Sequence, residues 1–561
     1  VAGVGAPAQL SASFGGTVDF RGTGAGDYVV SAVAINTSGH EGPVGTASVH
    51  VNAFGSRPPV VVTTSNSPTF PARRQTVTLS ATAFDPDTAC GDARTSSIAF
   101  ELLSLPQGSG ISFAAGASSF QADVEGTYAF RVVATEDGTG LRSDAAVLNV
   151  TVLDPDPAAS SVTAVATGGS GFVVANDVDS ATVTVTVRNR LGQPIGSLPV
   201  SLAVSGSSNK FNPLSGGGNT SQGGVFQATL TSTKAETKTF TATANPGTAQ
   251  VVLNDHPSVT FVAGPATHFT VAVSTSPITA GVADSFTVTA LDQFNNIATG
   301  YVGTADFSST DAAAEFTPPS HTFTSGTGLD NGVFTASVKF HAAGSQTVAA
   351  TDHANASIIG TSAAVTVQPG APATAVFSVQ PSSTTAGVHI APAVEVTVTD
   401  AFTNLVPGAS VTLSIGINAG GGTLSGTTTR STTASGVASF ADLSIDKAGT
   451  GYTLHGTVPS TPSAVTANST AFDITAAAPA TAAFTVQPTT TTAGVHITPA
   501  VEVTVKDAFA NLVPGASVTV SIGTNPASGV LSGTLTRSTS AAGIAAFADL
   551  SINKAGTGYT L

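Results

Sequence analysis

Residues 377–454 and 484–561 are two copies of one text. The first opens FSVQPSSTTAGVHIAPAVEVTVTDAFTNLVPGASVTLSIG and closes SFADLSIDKAGTGYTL, and the second opens FTVQPTTTTAGVHITPAVEVTVKDAFANLVPGASVTVSIG and closes AFADLSINKAGTGYTL. They align without a gap at an offset of 107 residues (484 minus 377) and agree at roughly three quarters of positions. That offset fits one β-sandwich domain of about 100 residues, so the duplication reads as two successive sandwich domains.

Weaker copies of the same grammar lie upstream. An alternating apolar run followed by a polar turn recurs as VTVTVRNRLGQPI (183–195), FTVTALDQFNNIA (286–298), VEVTVTDAFTNLV (394–406) and VEVTVKDAFANLV (501–513). Side chains alternate across a strand, so Val faces a core and Thr faces water. The turn that follows has Asp or Asn, then Phe or Leu, then Asn or Gln at every second position. Asp and Asn bond to nearby backbone and tolerate left-handed geometry, which suits them to it. Phe294, Phe402 and Phe509, with Leu191 as the variant, are expected to plug one end of their own sandwich. Metal binding by Asp292, Asp400 and Asp507 is the sharper alternative, but one carboxylate per turn falls short of the roughly six to eight oxygens calcium takes.

Composition supports an all-β chain. Val, Thr, Ala, Ser and Gly dominate, Gly and Pro (59 and 31) punctuate turns, and no stretch carries a helical period. Charged residues are only 9% of the chain, a figure a flexible linker could share, but the 41% hydrophobic fraction falls in regular alternating runs that a linker has no reason to keep. A net charge of −15 without a basic stripe argues against nucleic acid as a partner. The single cysteine, Cys90, excludes an internal disulfide framework. No apolar run reaches the ~20 residues a membrane helix needs. The chain opens at Val1 without an initiator Met or a signal peptide, which reads as a processed product, an excised piece, or the ordered part of something longer.

Tyrosines supply a second landmark. Gly26 and Gly126 stand two residues before Tyr28 and Tyr128, and Gly451 and Gly558 directly precede Tyr452 and Tyr559. These four are expected to form the tyrosine corner of immunoglobulin-like folds, where the hydroxyl bonds back to upstream backbone. The expected domains are 1–53 (the C-terminal strands of a partial domain), 54–153, 154–263, 264–368, 369–475 and 476–561. The last is expected to break off within strand F, either by truncation or as an edge that takes a strand from another copy. The array as a whole is expected to be elongated.

Three resemblances follow from these residues. Residues 160–263, with SSVTA, VVANDVDSATVTVTV and GVFQATLTSTKAETKTFTAT, resemble the invasin/intimin-type bacterial immunoglobulin-like domain. Residues 54–153 resemble the PKD-like module through VTLSATAFDPDT, IAFELL and VEGTYAFRVVATEDG, with Phe100 nearest the family's usual Trp. Residues 264–561 are similar to immunoglobulin-like repeats of very large secreted bacterial proteins. The resemblances imply a bacterial extracellular or cell-surface stalk, adhesin, fibre or scaffold, and no particular ligand.

No nucleophile elbow, zinc-helix motif or phosphate loop occurs, so no catalytic residue and no cofactor are expected. His389 and His496 occupy equivalent AGVHI positions and read as solvated loop residues. Asp85, Asp87 and Asp92 surround Cys90 in FDPDTACGDA, and Asp137 is expected near the same end of that domain. Calcium at these four is the alternative to plain turn chemistry. Partners are expected to be neighbouring domains, other copies of the chain, or a surface partner. The rival functions are spacer domains of a secreted enzyme, or a carbohydrate-binding or phage-decorating module, although a chain without Trp is poorly equipped for sugar platforms.

Overall fold

A computed structural model describes residues 26–51, 57–90 and 94–561. Of the expected partial unit 1–53, residues 1–25 and 52–53 lie outside these, as does Asp92. Among the described residues the regular structure is β-strand, apart from one short 3₁₀ turn, Pro86–Cys90. The chain is a succession of immunoglobulin-like β-sandwiches. It falls into two compact units, the first holding residues 1–264 and 293–296 and the second the rest.

In the first unit, Gly26–Ile35 and Glu41–Val51 form an antiparallel hairpin. The first sandwich faces the sheet Val60–Ser67, Thr76–Phe84, Ser119–Gln121 against Ser96–Ser104, Gly126–Glu136, Ala146–Val152. Its core holds Val77, Leu79, Tyr128, Phe130 and Val150. The second sandwich pairs a sheet centred on Ala181–Thr186 and Val225–Ser232 with one centred on Thr237–Ala244 and Pro199–Val204. Ala181, Val183 and Val185 are fully buried along one strand, while the threonines between them stay partly exposed, as the period of two requires.

In the second unit, the third sandwich is built on Ala283–Leu291 and Val333–Lys339 in one sheet and Thr304–Ser309 and Val348–Asp352 in another. The fourth repeats this plan with Val394–Thr399, where Val394, Val396 and Val398 are all at 0% exposure, against Ser410–Ile415 and Leu454–Val458. The fifth is built around Val501–Asp507, which pairs with Pro479–Val486 and Ile544–Phe547. A short strand near the start of the second, third and fourth sandwiches pairs in parallel with the last strand of the same sandwich: Phe172–Val174 with Ser258–Val262, Ile278–Thr279 with Val365–Gln368, and Thr384–Thr385 with Phe472–Thr475.

Candidate functional site

The polar turn after each alternating strand is the most elaborate constellation in the second unit. Asp400 directly follows the strand Val394–Thr399 and is 2% exposed. Its Oδ1 accepts from the amides of Phe402 (2.8 Å) and Asn404 (2.9 Å), and its Oδ2 accepts from the Gly370 amide and from Asn404 Nδ2, both at 2.8 Å. Four donors leave no room for a cation. Burial alone would raise this carboxyl, but the bonds from the Asn404 side chain and the amides of Gly370, Asn404 and Phe402 outweigh it and hold the group below its usual range. Asp507 repeats the arrangement with Ala477, Phe509 and Asn511, and its carboxyl is lowered in the same way.

The Asp thus presents an Asn and a Phe outward, and both reach the preceding sandwich. Asn404 Nδ2 donates to the carbonyl of His341 (2.7 Å), and its Oδ1 accepts from the amide of Ala343 (2.8 Å). Asn511 does the same at the fourth sandwich, to Asp446 O (2.9 Å) and from Ala448 N (3.0 Å). An asparagine amide carries one donor and one acceptor edge, so it reads a backbone C=O and N–H two residues apart. The Phe402 ring stacks on His341 at 4.3 Å and lies over Gly281, where a β-carbon would stand 2.5 Å from it. Phe509 lies likewise over Gly387, and Lys447 Nζ donates to the Phe509 carbonyl at 2.6 Å. The expectation that these rings plug their own sandwich is therefore corrected: they cap the neighbour, because the turn projects them off the sheet end.

The first unit contains the tetrapeptide 293–296, and there Asn296 makes the same pair of bonds, to Thr233 O and from Ala235 N, both 2.8 Å. Between the first and second sandwiches the device is absent. Leu191 and Gln193 replace Phe and Asn, and Asn189 Nδ2 bonds Gln193 Oε1 within its own turn (3.1 Å). A loop of the first sandwich substitutes for it. Ala72 joins the buried core of the second, Gln75 Nε2 donates to Gly196 O (2.8 Å), and Asn245 Nδ2 donates to Arg73 O (2.9 Å).

The loops that receive Asn404 and Asn511 are tied down from inside, and related side-chain bonds occur in the other sandwiches. Tyr452, fully buried, donates its hydroxyl to Lys447 O at 2.9 Å. Tyr559 bonds Lys554 O (3.1 Å) and Tyr128 bonds Val124 O (2.9 Å). Tyr28 lies on its hairpin opposite Val49. In the third sandwich Gln346 stands where Tyr452 stands in the fourth, and its Nε2 reaches Ala342 O at 3.3 Å. In the second, Lys238 is fully buried, with its ammonium on Ser207 O (2.8 Å) and Glu236 Oε1 (2.7 Å).

Of the residues considered for calcium, Asp92 lies outside the described residues, and the other three each accept a hydrogen bond from the protein. Asp85 accepts from the Asp87 amide and Asp87 from that of Arg57, while Asp137 bonds the Thr95 hydroxyl. Among the described residues no group of three or more His, Cys, Asp or Glu could hold a metal ion. His389 and His496 are exposed. Sequence reasoning missed Asn404, Asn511, Gly281, Gly387 and Gln346 as joint residues, and Lys238 as a buried cation. The recurrence of Asn four places after Asp was the one available signal.

Residues 165–262 match the family described as bacterial Ig-like domain (group 1). No curated protein matches the chain. Among solved structures it is similar to FdeC, an Escherichia coli adhesin, at 18% identity over 57% of this chain and 98% of that one, with a TM-score of 0.34. It is also similar to InvD of Yersinia pseudotuberculosis (16% identity, 57% and 98%, TM-score 0.31). A third is invasin, described as a bacterial integrin-binding protein (14%, 73% and 78%, TM-score 0.28).

Proposed function

We propose that this chain, whose residues 165–262 are a bacterial Ig-like domain, is a non-catalytic spacer within a larger exported bacterial surface protein. Its task is to carry other parts of that protein at a set distance and angle from the cell, as a stalk or scaffold for adhesion. The observation behind this reading is the repeated joint. Sandwiches linked by a few residues swivel by default. Here Asn404 and Asn511 each fix two backbone groups of the preceding sandwich, and a phenylalanine covers a glycine beside them. Such bonds contribute little to folding one sandwich and much to fixing the angle between two. The absence of catalysis in this reading is supported by the chemistry of Asp400 and Asp507, whose oxygens are engaged by donors of the turn and the linker.

Electron microscopy of intact producing cells, with an antibody to residues 165–262, tests the reading. Label outside the envelope, with a narrow distribution of angles between successive sandwiches of the second unit, is expected. Label confined to the cytoplasm, or freely varying angles, would overturn it.

A further inference from the structure

One peptide group, Lys447–Ala448, stands at the centre of the joint between the fourth and fifth sandwiches. Its N–H is the donor to Asn511 Oδ1 (3.0 Å), and its carbonyl accepts from the Tyr452 hydroxyl (2.9 Å). A peptide group is planar and, when trans, carries C=O and N–H on opposite edges. The tyrosine of one sandwich and the asparagine of the next therefore hold the two edges of one rigid plate. The same is true of Ala342–Ala343 in the third sandwich. Gln346 Nε2 takes the carbonyl at 3.3 Å and Asn404 Oδ1 the N–H at 2.8 Å. Within the first unit it is true of Lys234–Ala235, where the Ser232 hydroxyl reaches the carbonyl at 3.4 Å and Asn296 Oδ1 takes the N–H at 2.8 Å. Tyrosine, glutamine and serine share no shape. What they share is the carbonyl they reach.

We propose that Tyr452 and Gln346 are positioning residues of the interdomain joints of the second unit, fixing the tilt of the plate so that its N–H faces the asparagine of the following sandwich. Three physical points support this. The loop needs an anchor, because Gly449 and Gly451 follow it and glycine leaves the backbone free to turn. The anchor is itself immobile, since the Tyr452 ring is buried beside Phe472 at 6.2 Å between centroids. And a hydrogen bond on the carbonyl polarises the N–H of the same peptide, strengthening its bond to the asparagine. The route runs from core ring to loop plate to neighbour. The proposal rests on the spacer reading only for its purpose. The bonding stands without it.

The test uses the full chain with Tyr452→Phe, which removes the hydroxyl and keeps the ring, alongside Asn511→Ala and the double variant. Hydrogen exchange at the Ala448 amide is read by mass spectrometry with residue-level fragmentation, and the strand Leu454–Val458 serves as the internal reference. Loss of one hydrogen bond corresponds to about tenfold in exchange. We expect Tyr452→Phe to speed Ala448 by about that factor, the double variant to exceed either single one by much less than the product, and the reference strand to stay unchanged. Ala448 exchange equal to wild type would overturn the proposal. So would acceleration of the reference strand by the same factor, since the corner would then serve folding alone. Should Tyr452→Phe fail to fold, Gln346→Met read at Ala343 gives the same decision without disturbing an aromatic core. Failure of the spacer reading looks different: the antibody label would stay in the cytoplasm while the exchange pattern of these variants remained as expected.

Discussion

The ring of Phe509 rests on the backbone of Gly387 so closely that a β-carbon there would overlap it, and Gly387 itself is left-handed at φ +77°. Gly494, its counterpart in the next repeat, has nearly the same φ, +81°, with nothing within 4 Å. The pair separates backbone strain from steric contact. Gly494→Ala should cost about 1 kcal/mol from the positive φ alone. Gly387→Ala should cost that and also widen the angle between the fourth and fifth sandwiches. Urea denaturation and small-angle scattering of both variants make the comparison. Equal effects would mean that the ring yields freely and the contact does not set the joint.

Asn511→Asp is a sharper change than its size suggests. It places a second carboxylate beside Asp507 and turns an acceptor toward the carbonyl of Asp446. A destabilisation of about 2–3 kcal/mol in the joint is expected, against about 1 for Asn511→Ala. Calorimetry resolving the fifth sandwich's transition reads it, and an Asp variant as stable as wild type would rule out the bonding described.

Acid should loosen the same joints. Asp400 and Asp507 both have folded carboxyls below their unfolded value, so each contributes stability that is fully present above that value, about pH 3.9, and is lost as the pH falls through the lower folded one. The melting temperature should be flat from about pH 7 to 5 and fall below about pH 4. Asp400→Asn with Asp507→Asn should start lower at neutral pH and fall less steeply in acid. Parallel curves for the two proteins would show that these carboxyls are not linked to folding.

Lys238 is fully buried with its ammonium shared between Ser207 O and Glu236. Lys238→Met keeps the stem and takes the ammonium from both acceptors, leaving Glu236 Oε1 with the Ser207 amide alone. Glu236 retains some solvent, so a loss of about 2 kcal/mol is expected rather than the larger cost of an isolated buried charge. Chemical denaturation measures it, and an unchanged midpoint would mean that water replaces the ammonium.

The sandwich strands were legible because burial on one face imposes a period of two, and Val394, Val396 and Val398 display it without interruption. The Asp-x-Phe-x-Asn turn was legible as a turn, since Asp400 bonds within four residues of itself. Its purpose was not. Asn404 finds its partners 61 and 63 residues earlier, in a loop of the preceding sandwich, and one sequence carries no trace of that distance. Composition hid the corner of the third sandwich for a related reason. AGSQ is one residue shorter than AGTGY, so Gln346 falls out of register with Tyr452 in sequence although it reaches the equivalent carbonyl.

The parallel pairing of an early strand with the final one bears on what happens when such a chain is pulled. The amides of Ala175, Ala280 and Ala386 donate to the carbonyls of Val262, Gln368 and Thr475, so the two ends of each of these sandwiches are stitched side by side and point the same way. Tension applied through the termini slides these strands along each other and loads every stitch at once, where a hairpin would unzip one bond at a time. Resistance to force is thus separate from resistance to heat. Ala280→Pro, which deletes one stitching amide, should lower the rupture force of the third sandwich in an atomic force microscope far more than it lowers its melting temperature, and equal proportional losses would disprove it. A protein tethered at one end and tugged at the other would survive on a few short strands.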